Sequence, residues 1–242
     1  MSTTPQKIAL VTGANKGIGK AIAQGLAREG FLVYLGARNA ERGTAAATAL
    51  AVDGDIRFVQ LDVTDATSVH AAAQTIESET GRLDVLVNNA GISSAPGTRF
   101  RAPADESADN LRAVYETNVF AVVTVTNAFM PLLLRSAAGR IVNVTSKRGS
   151  IGEEGAWVGR PNMAYSSSKT TLNALTVHYP RGLADTAIKV NGAAPGHVAT
   201  DFNAFTGKRS PEEGAVIAIR LATLDNNGPS GLVFEDDVQL KW

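Results

Sequence analysis

Short aliphatic runs alternate with longer helical segments along the whole chain, and no other feature limits the fold so strongly. The runs are KIALVT (7–12), LVYLGA (32–37), RFVQLD (57–62), DVLVNN (84–89), GRIVNVTS (139–146), IKVNGAA (188–194) and LVF (232–234). Most are nearly continuous Val, Ile and Leu rather than alternating, the pattern of strands buried on both faces. Between them, segments 17–30, 39–52, 65–80, 105–135, 163–186 and 210–224 read as helices. The last has a clear start signal: Ser210 as cap, Pro211 in the first turn, then Glu212 and Glu213 at the positive end of the helix dipole. Strand–helix alternation repeated six times predicts a parallel sheet with helices on both faces. Ligands of such sheets bind beyond the carboxyl ends of the strands, so the residues just after each strand carry the functional information.

Length and charge narrow the classes. At 242 residues the chain makes one large domain, read as 1–242 without a linker or repeat. Formal net charge is zero, which argues against nucleic acid or an anionic membrane as the main partner. Cysteine is absent, and with it disulfides, thiolate nucleophiles and cysteine-bound zinc. The three histidines, His70, His178 and His197, share no ligand spacing, so no metal site is expected. No apolar signal core or membrane-length run is present, and the expected location is cytoplasmic.

The first strand runs into TGANKGIGKAIAQGL, with Gly13, Gly17 and Gly19 opening a helix. Glycines there permit a tight turn and let backbone N–H groups approach a phosphate at the helix N-terminus. A hydrolase phosphate loop fails on spacing, since Ala14 stands where it needs Gly and Lys20 is followed by Ala21. Near the other end, Tyr165 and Lys169 lie four positions apart at the start of a helix and face the same way. An ammonium beside a phenol favours phenolate and lowers its pKa. Taken alone, the pair also fits a polar surface turn.

TGANKGIG (12–19), LDVTD (61–65), NNAG (88–91), Asn118 in TNVFA, IVNVTS (141–146), YSSSK (165–169) and APGHVATD (194–201) occur together and in order. In that combination the chain resembles the short-chain dehydrogenase/reductase family over about residues 5 to 235, with a carbonyl-reductase-like ending. The resemblance implies a Rossmann-type doubly wound α/β sheet of seven strands in the order 3-2-1-4-5-6-7. It implies an oxidoreductase that reduces a small-molecule carbonyl (aldehyde, ketone or quinone) by hydride transfer. Tyr165 is then the general acid, Lys169 lowers its pKa and holds the nicotinamide ribose, and Ser146 stabilises charge on the carbonyl oxygen. Asn118 is expected to bend its helix and support a water-linked proton path. Thr145 competes with Ser146, and the family's habit of using the second hydroxyl favours Ser146.

The same resemblance places the cofactor on Gly13, Asn15, Lys16, Gly17, Ile18, Gly19, Asp62, Val63, Asn89, Ala90, Gly91, Tyr165 and Lys169. Pro195, Gly196, Val198 and Thr200 would line the nicotinamide carboxamide. The Asn-Asn-Ala-Gly run reads equally as a cofactor contact or as support for the sheet, and Asp62 alternatively as a helix cap. At the end of the second strand, where enzymes that prefer NAD carry an acid, this chain has Arg38. Arg38 and Lys16 together are expected to flank the 2′-phosphate of NADP(H). The alternatives are an NAD-dependent alcohol dehydrogenase of the same fold and a non-catalytic NADP-sensing regulator. Ser146 and Tyr165 are nineteen positions apart, more than in compact relatives, and the extra residues are expected to sit over the pocket. Trp157, Met163, Phe202 and Phe205 would give it apolar walls. A homodimer through 105–135 and 163–186 is expected, although the segment before Tyr165 is able to block that face.

Overall fold

The computed structural model describes residues 5–98, 102–154 and 159–241. Its strands are β1 (Ile8–Thr12), β2 (Leu32–Ala37), β3 (Ile56–Gln60), β4 (Val85–Asn88), β5 (Arg140–Val144), β6 (Lys189–Ala193), β7 (Val233–Glu235) and β8 (Val238–Gln239). Helices α1 (Gly17–Arg28), α2 (Ala40–Leu50), α3 (Ala66–Thr80), α4 (Ala108–Tyr115), α5 (Ala121–Leu133), α6 (Met163–Gly182) and α7 (Pro211–Ala222) alternate with them. One sheet takes all eight strands in the order β3-β2-β1-β4-β5-β6-β7-β8. The first seven are parallel, as expected. The eighth is an antiparallel edge of two residues, pairing Phe234 with Gln239 and Glu235 with Val238. So short an exposed strand has no hydrophobic period to betray it.

Side chains alternate across the sheet and so build two cores. Ala9, Val11, Val33, Leu35, Val85 and Val87 face α1, α2 and α7. Ile8, Leu10, Leu32, Tyr34 and Leu86 face the other way, toward α3 and α5. Burial of β1, β2, β4 and β5 along their whole length explains their largely apolar sequences. The start of α7 is as predicted: Ser210 accepts from Glu213 N, and Glu213 reaches back to Ser210 N.

The expected long helix 105–135 is three pieces. A π turn, Glu116–Phe120, separates α4 from α5 and carries Asn118. Such turns insert a residue into the helical ladder and are common at functional sites. Chain direction across the sheet reverses between β1 and β4, which opens the crevice where strand ends and helix starts meet.

Candidate active site

The glycine loop leaves β1 with Gly13 at φ +63° and enters α1 with Gly17 at φ +55°, both in the region L side chains avoid. Gly19 is demanded by space: a Cβ there would lie 2.3 Å from Asn89 Nδ2 and 2.7 Å from Gly13 O. The α1 N-terminus has no side-chain cap and no acidic residue in its first turn. Free N–H groups in a first turn that carries no acidic residue suit a phosphate, so this cradle fits a dinucleotide. Asn15 is half-buried in the loop, and Ile18 packs on the first core.

Asn88 and Asn89 support the sheet. Asn89 Nδ2 donates to Thr12 O (2.8 Å), while Asn89 N and Ala90 N both donate to Thr12 Oγ1 (3.0 Å each). Asn88 Nδ2 donates to Thr126 Oγ1 and Asn143 Oδ1, and Asn143 Nδ2 to Thr176 Oγ1. This buried ladder ties β4, β5, α5 and α6 together below the crevice. Asp62 is not a helix cap: its Oδ1 accepts from Thr64 N and Thr64 Oγ1, whereas Asp65 caps α3. Val63 packs on the second core.

The four predicted catalytic side chains converge. Asn118 is fully buried and holds the backbone of Ile92 on both sides, accepting from Ile92 N and donating to Ile92 O (2.9 Å each). Its amide also donates to Ser168 Oγ (3.0 Å), and Ser168 donates to Tyr165 O (2.7 Å). A Cβ on Gly91 would lie 3.2 Å from Asn118 Oδ1 and 3.7 Å from Lys169 Nζ, so a side chain there would crowd Asn118. Lys169 is buried, donates to Val144 O (2.8 Å), and holds its ammonium 5.7 Å from the Tyr165 ring centroid. Gly149 lets the turn after Ser146 press against α6, since a Cβ there would lie 2.6 Å from Lys169 C. That contact brings the Ser146 hydroxyl near enough to the Tyr165 phenol to act on its pKa. Thr145 is spent elsewhere: it donates to Asn173 Oδ1 at 2.6 Å in the core.

The electrostatics differ from the expectation. Burial pushes the Tyr165 phenol up, opposed by the Ser146 hydrogen bond and the positive field of Arg148. Lys169 turns its ammonium to Val144 O. Burial lowers the Lys169 pKa to about 8. Since the unfolded chain then binds more protons between pH 8 and 10.5, stability is expected to rise with pH across that window. From pH 8 to 10 the gain should be about 2–3 kcal/mol. Urea unfolding at successive pH values measures it. Lys169→Met should flatten the rise, and a rise of equal size in that variant would refute the assignment.

Pro195, Gly196, Val198 and Thr200 follow β6. Val198 and Thr200 are buried, and a Cβ on Gly17 would meet Thr200 Cγ2 at 3.3 Å, so this loop touches the glycine loop. Phe202 sits edge-on to Tyr165, ring centroids 5.5 Å apart. Phe205 and Met163 are exposed. Trp157 lies outside the described residues. Arg38 is exposed and makes no side-chain hydrogen bond or ion pair among the described residues. The Lys16 ammonium pairs with Asp201. Asp201 is 185 positions away, a contact invisible to local pattern.

Three residues of the site escaped the sequence reading. Asn162 caps α6 by accepting from Tyr165 N and donates to Ser93 O (3.1 Å each). Its position just before the predicted helix was the available signal. Ser168 and Arg148 had none, because the contacts that tie them to the site, Ser168 to Asn118 and Arg148 to Tyr165, cross between separate elements. Among the described residues no group of acidic and histidine side chains fits a metal, and no helix is long and apolar enough to cross a membrane.

This fold and this convergence of Ser, Tyr, Lys and Asn define an oxidoreductase of the short-chain dehydrogenase/reductase type. Residues 7–210 match the short chain dehydrogenase family profile, and the chain belongs to that family. It is 37% identical over 237 residues to short-chain dehydrogenase anuI of Penicillium roqueforti, covering 92% of this chain and 91% of that one. It is 31% identical to (-)-isopiperitenone reductase of Mentha piperita, covering 97% and 98%. The NADPH-bound carbonyl reductase from chicken fatty liver superposes with a TM-score of 0.87 at 27% identity, covering 99% of this chain and 100% of that one.

Proposed function

We propose that this enzyme reduces the carbonyl group of a small aldehyde, ketone or quinone to an alcohol, with NADPH as its cofactor. One observation carries the reading: Tyr165, with Ser146 near its phenol, stands over the buried Lys169 ammonium, which shares the space around Gly91 with Asn118. NADPH, when bound, supplies the hydride. Gly13 to Gly19 would hold its diphosphate and Arg38 its 2′-phosphate. Tyr165 gives its proton to the carbonyl oxygen, and the raised pKa keeps that proton in place at neutral pH. Ser146 donates a hydrogen bond to the same oxygen as negative charge develops there. Lys169 holds positive charge below the phenol as the proton leaves. Phe202 closes over the ring and favours substrates with an apolar or aromatic body.

The Lys16–Asp201 pair favours a second reading, an NAD-dependent enzyme of the same fold, because it occupies one of the two cations assigned to the phosphate. The test is oxidation of NADPH and of NADH, followed by absorbance, against aldehydes, ketones and quinones. Turnover with NADPH and at least one carbonyl is expected. Turnover with NADH alone would favour the second reading, and none with either would overturn both.

A further inference from the structure

The segment after β6 is a loop closed at its neck. Ala199 N donates to Arg209 O (2.8 Å), and Lys208 N and Arg209 N donate to His197 O (2.9 and 3.1 Å). From this neck the Arg209 side chain reaches two ways. Nη1 donates to Asp236 Oδ1 (2.9 Å) and to Pro195 O (3.3 Å), and Nη2 donates to Asp236 Oδ2 (2.6 Å). The guanidinium also lies against Gly196, where a Cβ would sit 3.0 Å from Cζ, Nε and Nη1, and Gly196 has φ +75°. Asp236 is the tip of the β7–β8 hairpin at φ 51°, a conformation that aspartate tolerates better than most residues.

The same C-terminal stretch grips the opposite wall of the site. Glu235 pairs with Lys147 (3.6 Å), Ser150 Oγ donates to Lys241 O, and Lys241 N donates to Glu153 Oε1 (2.8 Å). Leu240 is buried with Ala194 and Val233. Residues 235–241 therefore touch both the turn that follows Ser146 and the loop that starts at Pro195.

We propose that Arg209 and Asp236 are positioning residues: their forked ion pair lets the C-terminal hairpin fix the Pro195–Gly196 turn, and with it the nicotinamide end of the cofactor site. This rests on the reading of Pro195 and Gly196 as nicotinamide contacts. A lone exposed ion pair contributes little to stability. A bidentate fork that also holds a backbone carbonyl fixes geometry, so its effect falls on the turn rather than on the fold.

The test titrates NADPH, and 2′,5′-ADP, which lacks the nicotinamide end, into wild type, Asp236→Ala, Asp236→Asn, Arg209→Ala and the double Ala variant. Asp236→Ala should weaken NADPH roughly tenfold while 2′,5′-ADP changes less than about twofold. Asp236→Asn keeps one acceptor and should fall between. The double variant should be no worse than Arg209→Ala, since both remove one interaction. Equal weakening of both probes, additive losses, or unchanged NADPH affinity in the variants would overturn the inference alone. Wild-type protein that binds neither probe would overturn the cofactor reading and this inference with it.

Discussion

Tyr165→Phe is expected to lower turnover by roughly 10²–10⁴, the usual contribution of general acid catalysis. The ring stays, and with it the edge-on contact to Phe202 and the ammonium 5.7 Å from its centroid. Only the hydroxyl that meets Ser146 is lost. Lys169 should keep its place, because its hydrogen bond goes to Val144 O and not to the phenol. NADPH affinity should therefore change by no more than a few-fold. Single-turnover NADPH oxidation, with a separate binding titration, distinguishes loss of chemistry from loss of binding. Near-normal turnover in this variant would remove Tyr165 from the mechanism.

The second large effect concerns cofactor choice. A hydrogen bond to a charged group contributes roughly 1.5–3 kcal/mol. Arg38→Ala should then weaken NADPH by about ten- to a hundredfold, at tenfold per 1.4 kcal/mol, and scarcely touch NADH. Arg38→Asp should go further, repelling the phosphate and offering an acceptor to a free ribose hydroxyl. Lys16→Ala should cost NADPH less than Arg38→Ala, because the Lys16 ammonium is held by Asp201. The measurement is the ratio of kcat/KM for NADPH to that for NADH in each protein. A ratio that does not move in the Arg38 variants would refute the assignment of Arg38.

The sequence alone determined what depends on neighbours in the chain. Runs such as KIALVT and LVYLGA had to be buried strands, because nearly continuous apolar residues leave no polar face for water. Gly13 and Gly17 had to be glycine for their positive φ, and Ser210 capped its helix as its own side chain and Glu213 required. The spacing of Tyr165 and Lys169 put both on one side of α6, and the ordered motifs brought in Ser146 and Asn118.

Tertiary structure decided which groups remain available for chemistry. Thr145 and Ser146 are adjacent and alike in sequence, yet one donates into the core to Asn173 and the other meets the phenol, because side chains alternate at the end of β5. Lys16 looked free for a phosphate until the fold brought Asp201 to it. The Tyr165 pKa moves up rather than down, since burial outweighs the hydrogen bond and charge that oppose it. Burial, pairing and field strength are sums over atoms far apart in the chain, so only the folded molecule fixes them.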